Sequence, residues 1–386
     1  MAIIEPLLLS SLAALATSGW VAARHYVRYR FVGPEDRYMS LYGRSAWASS
    51  NMDLILEAAP DAADGLHEVF VARVRALLEQ GGPAADRLRE HAAPGDGPLR
   101  FVVDSAVTVD DLLQPREGIW LDLSERHRVR VVWNHMQMDG VGAWEALREA
   151  FDPNPPLIPY RSAPSPPPVV PELLGLPGMA RRAMWQGQLG PLAGTELHRG
   201  FALWPTAPLR EVRDAVGAPF NLVTSAQVLA HVFDRHPDVP RLNVGLTVYF
   251  PFLAGRNKYG VFTLRVERSS LSGLVRQLQR QVRFPLVNWG ITANQSLALS
   301  PLPDTTFLRL VSFYRRQIDV LISNLPVGQL PVTVGDIPVT IQCYPAELTL
   351  PYYFLLMGTR DVIHVSHTSR FVQGEGFCAA NSRDTP

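Results

Sequence analysis

The chain has 386 residues, 36 Lys plus Arg against 36 Asp plus Glu, and 47% apolar residues. A formal charge of zero removes the electrostatic case for a nucleic-acid partner, and this length exceeds one hydrophobic core and suits two lobes. The two cysteines, Cys343 and Cys378, show no CxxC and no metal-ligand spacing, so a reducing compartment or an irrelevant thiol pair is the simpler view and no metal is expected.

Residues Pro6 to Ala23 are uncharged and mostly apolar, and Arg24, Arg28 and Arg30 follow. As a helix this stretch would reach ~27 Å, just enough for a short membrane span. The arginines after it would leave the remainder on the cytoplasmic side. No positive charge except the amino terminus precedes it, so it fits a cleavable signal peptide poorly. Ser10, Ser11, Thr17 and Ser18 weaken the spanning reading, and a helix packed on the body or lying in the interface is the alternative. Residues 1–31 are therefore set apart as a hydrophobic N-terminal helix and candidate membrane anchor of a cytoplasmic protein.

In the next part Leu66, Val69, Phe70, Arg73, Val74, Leu77 and Leu78 recur at helical spacing. Leu99 to Val103, Gly118 to Leu123 and Val129 to Trp133 read as strands. The third strand runs into Trp133-Asn134-His135-Met136-Gln137-Met138-Asp139-Gly140-Val141-Gly142, and a helical pattern from Ala143 to Phe151 leads out. His135 thus sits where a strand ends and a loop turns into a helix, a position held by rigid elements on both sides.

The pattern His-x-x-x-Asp-Gly would arise by chance in roughly 0.04 copies in a chain of this composition. Its chemistry suits a neutral imidazole whose free nitrogen faces a hydroxyl, amine or thiol. Asp139 can lock the loop by pairing with an arginine or backbone amides, and Gly140 permits a sharp turn into the helix. The bland alternative is a buried histidine hydrogen-bonded at a strand end.

These residues resemble the active-site motif of the chloramphenicol-acetyltransferase-like superfamily, which includes wax ester synthase/diacylglycerol acyltransferases, plant-type acyltransferases and the condensation domains of peptide synthetases. Many members carry His-His-x-x-x-Asp-Gly, with the second histidine as general base. By that resemblance His135 is the base and Asp139 and Gly140 are structural. Asn134 stands where the first histidine would be. Val32 to Met39, with Pro34 and Asp36, resembles the start of the wax ester synthase-like body.

From Asp152 to Pro171 the chain is rich in proline and cannot be regular structure. It reads as a stiff crossover between lobes or as a plain linker. The division that follows is 32–152 for an N-terminal lobe carrying the motif, 153–172 for the crossover and 173–386 for a C-terminal lobe.

In the second half Phe201 to Trp204, Leu242 to Phe250 and Val261 to Val266 read as strands, with Asn257 to Gly260 a turn. Leu209 to Val216, Thr224 to Phe233 and Leu271 to Val282 read as helices, the second capped by Thr224. Val320 to Gly328 resembles the Ser-Asn-x-Pro-Gly segment of the wax ester synthase group, with Val327 inserted before the glycine. That resemblance brings the segment toward the histidine across the lobe interface. Ser323 and Asn324 could donate hydrogen bonds to a developing oxyanion, and with Asn134 they are the oxyanion or substrate-positioning candidates. Plain strand-end turn chemistry is the other reading. Strands are expected at Val332 to Val334, Val339 to Cys343, Tyr352 to Met357 and Val362 to Val365, with a hairpin turn at Gly358 to Asp361. His364 and His367 would point to opposite faces, as surface or packing residues and poor joint ligands.

The chain has no Gly-x-Ser-x-Gly elbow, phosphate-binding loop, dinucleotide fingerprint, His-Glu-x-x-His or internal repeat. The resemblance implies an α/β fold of two chloramphenicol-acetyltransferase-like lobes around a crevice. It implies acyl transfer from a thioester, acyl-CoA or acyl carrier protein, to a hydroxyl or amine on a small-molecule or lipid acceptor, with no bound cofactor. The hydrophobic N-terminal stretch fits an apolar donor or acceptor and a membrane partner. A condensation or cyclisation enzyme acting on a carrier-bound intermediate, and a non-catalytic binding protein of the same fold, are the rival readings.

Overall fold

Strict alternation builds the first sheet. In β1 (Asn51–Ala58) Met52, Leu54, Leu56 and Ala58 share one buried face, and Asp53 and Glu57 share the other. In β3 (Arg128–Asn134) Val129, Val131 and Trp133 continue the buried face, and Arg128 and Arg130 the polar one. This is the computed structural model of the chain; it describes residues 51–80, 119–134, 185–249, 259–282, 303–326, 333–345, 349–358 and 361–371. The hydrophobic N-terminal helix, the strand at Leu99 to Val103, the Pro-rich crossover and Cys378 lie outside the described residues. Among the described residues no single helix is long and apolar enough to cross a membrane.

The sheet order is β2-β3-β1-β9-β8, with β2 at Ile119–Asp122, β8 at Thr333–Val334 and β9 at Ile337–Pro345, and every pair is antiparallel. Helix α1 (Leu66–Gln80) lays Leu66, Phe70 and Val74 on the apolar face, one residue per turn. β1 is absent from the sequence-based expectations, although its alternation is regular. β8 and β9 come from the part of the chain assigned by sequence to the second lobe, yet they hydrogen-bond into the first sheet.

The second sheet has the order β4-β11-β10-β7-β5-β6. Its strands are β4 (His198–Pro205), β5 (Arg241–Tyr249), β6 (Tyr259–Glu267), β7 (Val320–Pro326), β10 (Tyr352–Gly358) and β11 (Val362–Ser369). β7 lies in the middle and pairs in parallel with both β5 and β10, while the other pairs are antiparallel. Parallel strands covered on both faces read as near-continuous apolar runs, which is why Val320-Leu321-Ile322 is legible as a strand. The expected hairpin joins β10 to β11.

Three helices cover one face of this sheet: α2 (Thr206–Val216), α3 (Phe220–Arg235) and α4 (Leu271–Gln281). The α2–α3 break uses Gly217 at φ 66, the left-handed position that ends a helix at little cost for glycine. A further helix not expected from sequence, α5 (Asp304–Arg315), precedes β7. α3 starts behind Pro219, four residues before Thr224, so Thr224 is an interior residue and not a cap. Its hydroxyl donates back to the Asn221 carbonyl at 2.9 Å.

The two sheets meet edge to face. β8 covers only the start of β9, so the later N–H groups on that edge need other acceptors. Ile341 N donates to His364 Nδ1 at 3.0 Å, and Cys343 N donates to Ser366 Oγ at 2.9 Å, both acceptors lying on β11. Leu355 and Met357 of β10 enter the apolar core under the first sheet. His364 and His367 do point to opposite faces; both are buried packing residues, and His367 stacks on Phe354.

Candidate active site

The end of β3 sets the geometry. Trp133 pairs with Met52, and Met52 also pairs with Pro345, so the C-terminal ends of β3 and β9 and the N-terminal end of β1 form one rim of the first sheet. Asn134 is the last described residue of β3, pairing with Asn51. His135, Asp139 and Gly140 follow it in sequence and lie outside the described residues.

One step in from that rim is a charge cluster that the sequence-based expectations do not include. Asp53 is fully buried and pairs with Val132 and Tyr344. Its carboxylate accepts two hydrogen bonds from Arg130, both at 2.7 Å, and one from Arg199 at 2.7 Å. Arg130 also lies 3.7 Å from Asp122. Burial works against the Arg130 charge, but the hydrogen bond and charge of Asp53, together with the charges of Asp122 and Glu125, outweigh it and push its pKa up. Two carboxylates and two guanidiniums thus balance. Arg199 belongs to β4, so the second sheet reaches onto the polar face of the first here.

The guanidinium of Arg199 also lies 5.0 Å from the centre of the Tyr344 ring. Arg199 Nε and Nη2 are buried without hydrogen-bond partners among the described residues, which leaves the ring face as their compensation. The polar ladder continues from Tyr344 Oη to Gln342 Oε1, from Gln342 Nε2 to Glu57 and from Arg128 to Glu57. The signal for Asp53 in the sequence is a lone carboxylate inside an apolar run, Met52-Asp53-Leu54.

Ser323 and Asn324 are neighbours on β7 and therefore face opposite sides. Ser323 pairs with Leu355, on the side that contributes to the first sheet's core, and its Oγ accepts a hydrogen bond from Thr247 at 2.9 Å. Its own hydroxyl hydrogen is left to donate. Asn324 faces α3. Its Oδ1 accepts from Thr224 Oγ1 at 3.2 Å, and its Nδ2 donates to Ser225 Oγ at 3.0 Å and to the Asn221 carbonyl at 3.4 Å. The amide is committed to holding α3 on β7. The two candidates are thus separated by the pleat, and Ser323 alone of the pair faces the inter-sheet side.

Asp319, the residue before β7, fixes the strand's entry. It is fully buried, and its carboxylate accepts from Leu189 N at 2.7 Å and Asn243 N at 2.8 Å. Burial pushes this carboxyl up to about 6 against the pull of those amides. Gly187 is required beside it: a Cβ there would stand 2.9 Å from Asp319 Oδ1. As with Asp53, the sequence signal is a carboxylate within an apolar run, Ile318-Asp319-Val320.

No family model and no curated protein sequence matches the chain. Solved structures do. The wax ester synthase/diacylglycerol acyltransferase from Marinobacter aquaeolei VT8 is similar over 88% of this chain and 93% of its own, with 16% identity and a TM-score of 0.50. A variant of the starter condensation domain of rhizomide synthetase RzmA, in complex with C8-CoA, is similar over 88% of each chain, with 15% identity and a TM-score of 0.50. The chain therefore has the chloramphenicol-acetyltransferase-like, condensation-type fold: mixed α/β, with two sheets.

Proposed function

We propose that this chain is an acyltransferase that moves an acyl group from a thioester to a hydroxyl or amine, with His135 as the general base. The observation that supports this most is the position of β3. It runs within the first sheet of a condensation-type fold and ends at Asn134, directly before His-x-x-x-Asp-Gly. In this reading the neutral imidazole of His135 takes the proton from the acceptor as its oxygen or nitrogen attacks the thioester carbonyl. The new bond forms, the carbonyl oxygen becomes an oxyanion, and the Ser323 hydroxyl donates to it. Collapse breaks the carbon–sulfur bond, and the imidazolium returns its proton to the leaving thiolate. Asp139 and Gly140 hold the loop, and Asn134 takes the place of a first histidine. The donor is acyl-CoA or an acyl carrier protein, and no bound cofactor takes part. Residues 6–23 attach the protein to a membrane on its cytoplasmic side, which suits a lipid acceptor.

A second reading, condensation on a carrier-bound intermediate, is favoured by the likeness to a starter condensation domain. One experiment separates the two. Purified protein is mixed with short and long acyl-CoA donors and a panel of alcohols and amines, and free thiol is measured against a His135→Ala control. Acceptor-dependent release lost in the variant is the expected result. Release only when the acceptor is also tethered to a carrier, tested as an added arm, selects the second reading, and release undiminished in His135→Ala removes His135 from the mechanism.

A further inference from the structure

Among the described residues β6 is the last strand in the order of the second sheet, and its outer side is covered by side chains of α4. Arg265 and Glu267, two residues apart, turn their backbone groups the same way, away from β5. Gln281 meets the first of them: Arg265 N donates to Gln281 Oε1 at 3.3 Å, and Gln281 Nε2 donates to the Arg265 carbonyl at 2.7 Å. Gln277 meets the second: Glu267 N donates to Gln277 Oε1 at 2.9 Å, and Gln277 Nε2 donates to the Glu267 carbonyl at 3.0 Å. Each carboxamide thus offers one acceptor and one donor to one residue, as a residue of a neighbouring strand would.

The match is one of spacing. Four helical residues rise ~6 Å and two strand residues ~6.6 Å, so glutamines one turn apart fall beside alternate residues of a strand. The order is reversed along the two elements, with Gln277 on Glu267 and Gln281 on Arg265, because α4 runs back along β6 after only Arg268, Ser269 and Ser270. Ser270 starts the helix, its Oγ accepting from Gly273 N at 3.3 Å. Buried Leu274, Val275 and Leu278 fix the helix rotation, and that rotation brings Gln277 and Gln281 to the edge.

An uncovered strand edge is a template for another strand. The partner that fits this one is a second copy. In an antiparallel pairing about a two-fold axis at Val266, Arg265 of one copy would exchange both backbone bonds with Glu267 of the other, and the two side chains would face each other with opposite charge. Glu267 is exposed. Two copies so joined would share four hydrogen bonds, whereas each closed copy already makes four of its own, so the closed edge wins while the glutamines are present. We infer that Gln277 and Gln281 are a built-in strand mimic that keeps β6 from pairing with a second copy of this chain, and that Arg265 to Glu267 is the surface they mask.

The first test needs no variant. In hydrogen exchange on the full chain, the Arg265 and Glu267 amides should be slowed by about tenfold or more relative to an unprotected peptide. Exchange of both at the unprotected rate overturns the inference. The second test is sedimentation over a concentration series. Gln277→Ala/Gln281→Ala keeps strong helix formers in α4 and should approach twice the mass of the wild type. Glu267→Pro added to that variant removes an N–H the second copy needs. That N–H points away from β5, so the ladder to β5 is kept, and the mass should return to the wild-type value. An unchanged mass in the folded double variant, growth past twice the wild-type mass, or a doubling that survives Glu267→Pro overturns the inference. Gln277→Ala alone, which leaves Gln281 on Arg265, serves if the double variant folds poorly: its mass should rise with concentration and fall back with Glu267→Pro, and a mass equal to wild type throughout is the contrary result. The readouts are exchange and mass, so the inference stands or falls separately from acyl transfer.

Discussion

Arg199 Nη1 on the second sheet and Asp53 Oδ2 on the first lie 2.7 Å apart, and Asp53 also holds Arg130 of its own sheet. One fully buried carboxylate therefore joins two sheets beside the strand that leads to the proposed base. Removing it takes from Arg199 its carboxylate partner among the described residues and leaves Arg130 with Asp122 at 3.7 Å. Asp53→Ala should cost about 3–5 kcal/mol of folding stability in urea unfolding, the usual consequence of leaving buried charge unpaired. Arg199→Ala should cost less, about 1.5–3 kcal/mol, because Arg130 still answers Asp53. A double-mutant cycle should return a coupling well above zero; additive losses would show that the contact is incidental.

Ser323 and Asn324 should part company. Asn324→Ala removes three hydrogen bonds that fix α3 and should lower stability by about 1–3 kcal/mol. Ser323→Ala loses the one hydrogen bond from Thr247 and should lower stability by about 1 kcal/mol, but on the proposed mechanism it should lower kcat by about a hundredfold with little change in KM. A kcat loss confined to the asparagine variant would reverse the assignment.

Asp319 gives a pH dependence of definite sign. Its folded-state pKa is raised from 3.8 to about 6, so the folded protein holds this proton when the unfolded chain has lost it. Its contribution is fully present below pH 3.8 and is lost as pH rises through about 6. The size is about 3 kcal/mol at one pKa unit per 1.36 kcal/mol. The difference in stability between the wild type and Asp319→Asn, measured by urea unfolding from pH 3.5 to 7, should move against the wild type across that window. A flat difference would mean that the backbone amides, and not burial, govern this carboxyl.

His367 gives the opposite slope. Burial first, then the charge of Arg235, push its pKa down from 6.5 to about 3, so the folded state keeps it neutral while the unfolded chain takes up a proton. Stability tied to it is present above pH 6.5 and falls as pH drops toward 3. His367→Phe keeps a ring on Phe354 and does not titrate, so its stability should fall less than that of the wild type on acidification. Parallel acid curves for the two proteins would rule the imidazole out as a source of acid lability.

The sequence by itself determined the local elements and the chemistry of the motif. Alternation marked β3, helical spacing marked α1, and an apolar run marked β7, because side-chain periodicity is a local consequence of burying one face. The His-x-x-x-Asp-Gly pattern and the resemblance it carries were legible for the same reason: they lie in one short segment. What belongs to tertiary structure is which distant pieces meet. That β9 joins the first sheet follows from its register with β1 some 285 positions away, Gln342 reaching Glu57 across it. Strand pairing of that kind is a property of the whole chain, and no local pattern encodes it. Asp53 and Asp319 each stood out as a carboxylate in an apolar run, but Arg199, Arg130 and the Leu189 and Asn243 amides that answer them come from other elements. The split between Ser323 and Asn324 was fixed in principle by the two-residue period of a strand. Which of the two faces the first sheet depended on where α3 and β10 pack.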